Sequence, residues 1–127
     1  MKITVITPTW NQAQFIEKTI QSVVSQTWSE IEYIIVDNCS DDGTSDIIQK
    51  YMEKYPYIQY IREPDKGQAE AINKGLKRAT GDIVCWINSD DFYYTNTVFE
   101  KVGNKFMSEP QCNVIVGDGI YCDKNGT

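Results

Sequence analysis

Residues 33–44 read Tyr33-Ile34-Ile35-Val36-Asp37-Asn38-Cys39-Ser40-Asp41-Asp42-Gly43-Thr44. The first four are β-branched or aromatic apolar residues without a break, as expected of a strand covered on both faces of a parallel sheet. The run stops at a dense polar turn. Thr44 or Ser45 can cap a helix whose apolar side is Ile47, Ile48, Tyr51 and Met52. Strand, polar turn and amphipathic helix form one βα unit, and the pattern recurs on both sides of it.

Toward the N-terminus, Ile3 to Thr7 is a β-rich run that Pro8 is expected to end, because proline cannot donate to a ladder. Asn11 stands where a helix cap is expected. Phe15, Ile16, Ile20, Val23 and Val24 then follow at helical spacing, which predicts a helix over 12–26. Toward the C-terminus, Ile58 to Ile61 reads as a third strand, and Gln68 to Ala79 as a helix stopped by Gly81. Ile83 to Ile87 reads as a fourth strand, Thr97 to Phe106 as a helix, and Val114 to Val116 as a fifth strand with an extended piece at Ile120 to Cys122. The expected class is α/β: a mostly parallel, Rossmann-like sheet with helices on both faces.

At 127 residues the chain is the size of one domain, and its 41% hydrophobic content supports a core. The net charge of -6, with Lys and Arg spread along the chain, argues against a nucleic-acid surface. An acidic chain that handles a phosphorylated ligand needs local charge compensation, which a divalent cation usually supplies. Cys39, Cys85, Cys112 and Cys122 match no zinc spacing, and the chain has no His. They read as free thiols in a reducing compartment, so a cytoplasmic location is expected, at the inner membrane face for a longer protein. The apolar run at Ile3 to Ile6 is too short for a signal-peptide core.

Open parallel sheets bind ligands at the carboxyl ends of their strands. Pro8, Thr9 and Asn11 follow the first strand and Asp37 the second. Asp65, Lys66 and Gln68 follow the third, Asn88, Asp90 and Asp91 the fourth, and Asp118 the fifth. Asx and Gly after a strand are also ordinary loop material. Asn11 can be a helix cap, Asp41-Asp42-Gly43 a capped turn, Lys66 a solvated lysine and Asp91 a cap. Asp37 and Asp90 stand out because each follows a rigid buried run. A carboxylate there can accept the N–H of uracil or thymine. Asn88 and Asp90, two positions apart, can face Mg²⁺ or Mn²⁺ or its waters while phosphates complete the shell. No G-x-G-x-x-G follows the first strand, and neither a Walker A segment nor G-x-S-x-G occurs.

Four segments, in order, resemble glycosyltransferase family 2 with its GT-A fold. They are Thr7-Pro8-Thr9-Trp10-Asn11, Gln21 to Trp28, Val36 to Thr44, and the group Ala71 to Gly75, Ala79 to Asp82 and Trp86 to Asp91. The resemblance covers essentially the whole chain. It implies an inverting, metal-assisted transfer of sugar from a nucleotide-diphosphate sugar, with UDP first, to a glycan or lipid-linked acceptor. It implies that Pro8, Thr9, Asn11, Lys66, Gly67, Gln68, Asn88, Ser89 and Asp90 border the donor, that Asp37 binds the base and that Asp91 orients its loop. Asp90, with Asn88 directly or through water, would hold Mn²⁺ or Mg²⁺. Two departures stand out: Asn38-Cys39 replaces the Asp-Gly of many members, and Asn88-Ser89-Asp90 replaces D-x-D.

Members place the general base and acceptor contacts further along the chain. The base is therefore expected beyond Thr127, with Asp118 the only late candidate before it, and residues 1–127 are expected to be the donor-binding part of a larger domain. An uncovered apolar edge and self-association of this piece are expected. The competing readings are a non-catalytic nucleotide-binding module of the same fold and a nucleotidyltransferase. The latter would bring a Gly-rich basic loop after the first strand, which Pro8 to Gln12 is not.

Overall fold

The computed structural model describes residues 1–127. Strands and helices alternate as β1 (Ile3–Thr9), α1 (Ile16–Val24), β2 (Ile31–Asp37), α2 (Thr44–Lys54), β3 (Ile58–Arg62), α3 (Gln68–Arg78), β4 (Ile83–Trp86) and α4 (Val98–Ser108). Every pairing is parallel, and the strand order is β3-β2-β1-β4. The chain steps outward from β1 to β3, then returns to the far side of β1. Right-handed crossovers require the connecting helix to change faces when the direction reverses. It does so: Ile16, Ile20 and Val23 of α1, Ile48 of α2 and Phe99 of α4 pack with Val5, Tyr33 and Ile35 on one face. Ala71 of α3 packs with Ile6, Ile34, Val36 and Ile61 on the other. Gly75 permits this approach, since a Cβ there would lie 2.6 Å from Ile6 Cγ2. The α/β sheet with helices on both faces is therefore present as expected.

Several expected boundaries move. β1 runs through Pro8, which pairs with Val36, to Thr9, which pairs with Asp37. In a parallel ladder alternate residues turn their N–H and C=O to opposite neighbours. Thr9 accepts from Asn38 on the β2 side, and Ile6 accepts from Ile87 on the β4 side. Pro8 shares the orientation of Ile6, and the β4 ladder stops at the Ile6–Trp86 pair, so its missing N–H costs no bond. The helix expected over 12–26 begins only at Ile16, after a turn closed by Gln12. Asn11 is not its cap: it has φ 48°, and its side-chain oxygen accepts from the Asp41 N–H at 2.9 Å. At α2 it is Asp42 that accepts from the Thr44 N–H and hydroxyl.

The fifth strand at Val114 to Val116 does not form. No strand lies beside that run, and a ladder needs a neighbour; Val114 is 75% and Val116 87% exposed. The outer edge of β4 is consequently unpaired, and Val84 and Trp86 on it are exposed. All four cysteines are free. No helix is long and apolar enough to cross a membrane.

At the amino end of the sheet, Glu32 gathers the strands. It accepts from the Thr4 hydroxyl of β1 at 2.8 Å, Gln59 of β3 at 3.1 Å, and the Thr80 N–H and hydroxyl at 2.9 and 3.0 Å. This polar knot fixes strand ends far from the opposite rim, where the site lies.

Candidate functional site

The carboxyl rim carries a cleft of about 390 Å³, within the range of small-molecule sites. The end of β1 contributes Pro8, Thr9, Trp10 and Gln12. Asn38 comes from the loop after β2, Asp65 from the loop after β3, and Asn88, Ser89 and Asp90 from the loop after β4. Gly67, Gln68 and Ala71 come from the start of α3, whose unpaired first-turn N–H groups favour negative charge. The cleft thus opens where the chain reverses direction across the sheet, the position at which open α/β folds bind ligands.

Of the residues expected here, Pro8, Thr9, Gly67, Gln68, Asn88, Ser89 and Asp90 come together around the cleft. Ser89 is buried and Asp90 exposed, so the loop is anchored next to a carboxylate that is open to solvent. The side chain of Gln68 donates to Asn88 Oδ1, which ties α3 to the β4 loop. Asp91 acts through its backbone: its carbonyl accepts the Thr19 hydroxyl, and its N–H donates to the Asn88 carbonyl at 3.1 Å.

Asn11, Asp37 and Lys66 do not line the cleft. The Asn11 N–H donates to Ser40 Oγ at 2.8 Å, bracing the β1 loop against the β2 loop. Lys66 is exposed, and its N–H donates to Glu70. Asp118 lies in the exposed segment after α4 and is not part of the cleft lining. Thr127 is also absent from the cleft lining: its N–H and hydroxyl donate to the Asp123 carboxylate at 3.1 and 2.9 Å, closing a local turn. The general base expected beyond Thr127 lies outside the described residues.

Asp37 is fully buried. Its Oδ1 accepts from the Ser40 N–H and hydroxyl, and its Oδ2 from the Tyr60 hydroxyl and Arg62 Nη1. Two oxygens offer about four lone-pair sites, so the carboxylate is saturated within the protein. The base contact expected of Asp37 is therefore not the arrangement seen. The physical cause is strand parity: Asp37 lies on the same face as Tyr33 and Ile35, under the helical cover, and the next residue, Asn38, reaches the cleft. Asn38 Oδ1 accepts the Asp65 N–H at 2.9 Å, joining the β2 and β3 loops. The alternation was the signal that could have singled out Asn38. Nothing in the sequence singled out Asp65 from the other acids after strands.

A cation that pairs with a diphosphate needs only one or two protein carboxylates, because phosphates and water complete its shell. The cleft fits this modest demand with exposed Asp90 and the neutral oxygens of Asn88 and Ser89. No group of three or more His, Cys, Asp or Glu side chains could hold an ion without a ligand.

The sequence model described as "Glycosyl transferase family 2" matches residues 4–127. The chain belongs to this family. This family 2 chain is 37% identical over 131 residues to TuaG of Bacillus subtilis (strain 168), named as a putative teichuronic acid biosynthesis glycosyltransferase. The match spans 96% of this chain and 51% of TuaG. It is 32% identical to the glycosyltransferase GlyA of Streptococcus pneumoniae over 92% of its own length and 16% of GlyA. Among solved structures, Staphylococcus aureus TarS residues 1–349 in complex with UDP-GlcNAc superposes with TM-score 0.81 at 26% identity, covering 96% of this chain and 37% of that 1–349 chain. The mannosyltransferase PcManGT of Pyrobaculum calidifontis, in complex with GDP-Man and Mn²⁺, superposes with TM-score 0.70 at 31% identity, covering 75% of this chain and 29% of that one. The family 2 chain thus spans about half or less of these relatives.

Proposed function

We propose that this chain is the donor-binding part of an inverting glycosyltransferase that takes a nucleotide-diphosphate sugar, UDP-linked in the first instance, and passes the sugar to a glycan or lipid-linked acceptor. The observation that carries the reading is the cleft at the strand reversal, in which Asn88-Ser89-Asp90 faces the loops after β1, β2 and β3. Relatives whose structures hold UDP-GlcNAc and GDP-Man with Mn²⁺ support the donor class.

In this reading the rigid ends of β1 and β2 hold the nucleoside, and the first turn of α3 faces the diphosphate with its free N–H groups. Gln68 fixes Asn88, which keeps the β4 loop in place beside the leaving group. Asp90 and Asn88 would hold Mn²⁺ or Mg²⁺, whose charge, when bound, offsets that developing on the departing diphosphate. Inversion needs a carboxylate to deprotonate the attacking hydroxyl. No residue of the cleft other than Asp65 and Asp90 carries one, so we propose that the base comes from outside the cleft lining.

Calorimetric titration of UDP-GlcNAc, with and without Mn²⁺, tests the proposal. Saturable binding strengthened by Mn²⁺ is expected. Absence of binding by any of UDP-, dTDP- and GDP-sugars, in this chain and in a longer protein containing it, would sink it.

A further inference from the structure

The segment that follows the Asn88–Asp90 turn, residues 91–97, belongs to no helix or strand. Its backbone groups still need partners, and side chains of α1 and the residues just after it supply them. The Thr19 hydroxyl donates to the Asp91 carbonyl, Ser22 Oγ accepts the Tyr93 N–H at 3.1 Å, and Gln26 Nε2 donates to the Thr95 carbonyl at 2.8 Å. Gln26 Oε1 accepts the N–H of Phe99, in the first turn of α4, at 3.0 Å. Thr19, Ser22 and Gln26 stand three and four residues apart, so they form one row down α1 and past its end, beside the apolar row of Ile16, Ile20 and Val23.

The row is built for this contact. Thr19 is 1% and Gln26 8% exposed, yet every partner lies 69 to 73 residues away in the chain. A threonine hydroxyl inside a helix can bond back to a carbonyl one turn earlier, whereas that of Thr19 is given to Asp91. Ser22 Oγ donates to the Thr19 carbonyl at 2.7 Å, which leaves its lone pairs for the Tyr93 N–H.

The row starts beside Asp90. Before the turn, the Ile87 N–H donates to the Ile6 carbonyl of β1 at 2.9 Å; after it, Asp91 is held by Thr19 and closes the turn on the Asn88 carbonyl at 3.1 Å. The Asp90 side chain is exposed and has no hydrogen bond of its own. The place of its carboxylate is therefore set by the backbone anchors on either side.

Resting on the donor-binding reading above, we propose that Thr19 is a positioning residue for the cation, and that Ser22 and Gln26 extend its hold along the segment. Thr19 touches neither donor nor ion; by fixing the Asp91 carbonyl it fixes where Asp90 presents its carboxylate in the cleft. The effect falls on the ion and not on the nucleoside, which rests on the ends of β1 and β2.

The test titrates UDP by calorimetry, with and without Mn²⁺, against the chain and its Thr19→Val, Thr19→Ser, Ser22→Ala and Ile20→Val variants, with a thermal melt of each. Thr19→Val keeps the side-chain shape and leaves the Asp91 carbonyl without its donor. Its UDP affinity without Mn²⁺ should hold, while the gain that Mn²⁺ brings falls by about three- to tenfold, the lower end of what losing an outer-shell partner costs. Thr19→Ser keeps the hydroxyl and should keep the gain, although the lost methyl lowers its melting temperature. Ile20→Val trims the apolar row of the same helix and should lower the melting temperature with the gain intact. Ser22→Ala is the milder cut in the polar row and should reduce the gain by about two- to threefold, which keeps the proposal testable should Thr19→Val not fold. An unchanged Mn²⁺ gain in Thr19→Val and Ser22→Ala, or an equal loss in Ile20→Val, overturns the positioning role and leaves the donor-binding reading standing. So does UDP binding by the unaltered chain that Mn²⁺ does not strengthen. Failure of the unaltered chain to bind UDP under either condition overturns both.

Discussion

Arg62 and Asp37 are register partners at the ends of β3 and β2, and Arg62 Nη1 lies 3.1 Å from Asp37 Oδ2. The pair is asymmetric: the carboxylate is fully buried, while the arginine side chain is 42% exposed. Losing Asp37 strands Ser40, Tyr60 and Arg62 at once, whereas losing Arg62 leaves the carboxylate three donors. Asp37→Ala, which leaves the Ser40 and Tyr60 donors and Arg62 without their acceptor, is therefore expected to cost about 3–5 kcal/mol, and Arg62→Ala clearly less. Urea unfolding of the two variants checks this, and equal losses would contradict the asymmetry.

The carboxyl of Glu32 gives a pH signature. Burial pushes its pKa up, but the Thr80 N–H, the Thr4 and Thr80 hydroxyls and the charge of Lys2 together outweigh burial and hold it below the ordinary 4.5. A value depressed on folding stabilises fully above the unfolded-state pKa, and that contribution disappears as pH falls through the folded one. Stability should decline as the pH falls below the ordinary carboxylate value of 4.5 and through the lower folded one. Glu32→Gln should be less stable at neutral pH and should lose less on acidification. A slope equal to that of the unaltered chain would remove Glu32 from the account.

Asp90 separates binding from folding. Its side chain is exposed and makes no hydrogen bond or ion pair within the protein, so Asp90→Asn should leave stability within about 0.5 kcal/mol. The same change should abolish the gain in UDP affinity that Mn²⁺ brings. Paired titrations with and without Mn²⁺ decide it, and a surviving metal effect would move the cation elsewhere.

Gly75 measures how closely α3 sits on β1. An added methyl would meet Ile6 Cγ2 at 2.6 Å, against a fully buried strand residue. Overpacking of this kind costs about 1–3 kcal/mol, which outweighs the gain in helix propensity. Gly75→Ala should therefore lower the unfolding midpoint, and a rise would show that the contact can relax.

How much of this was legible in the sequence depended on the kind of evidence each residue carries. The βα alternation was plain because buried strands and amphipathic helices leave period-specific patterns, and the sheet with two covered faces followed. Pro8 misled because its effect depends on which neighbour its nitrogen faces, and that is set by the length of β4, far away in the chain. Val114 to Val116 misled because β-branched residues favour extension, but a strand also requires a partner edge. Most of the cleft could be read from strand ends. Asn38 was overlooked in favour of Asp37 although parity along β2 distinguishes them. Asp65 was hidden because only three-dimensional structure shows an oxygen without a donor.

Trp10 is 59% exposed, and of the three tryptophans it alone lines the cleft. Trp28 sits against Gly103 and donates from Nε1 to the Met1 carbonyl at 2.8 Å, while Trp86 lies on β4. The chain therefore carries its own optical labels, sorted by location. Indole emission that changes when a nucleotide is added reports from Trp10, whereas emission that changes only on denaturation reports the packing of Trp28. A Trp10→Phe chain would remain visible to unfolding and become dark to ligand, so occupancy of the cleft and integrity of the fold can be followed in one cuvette without any attached dye.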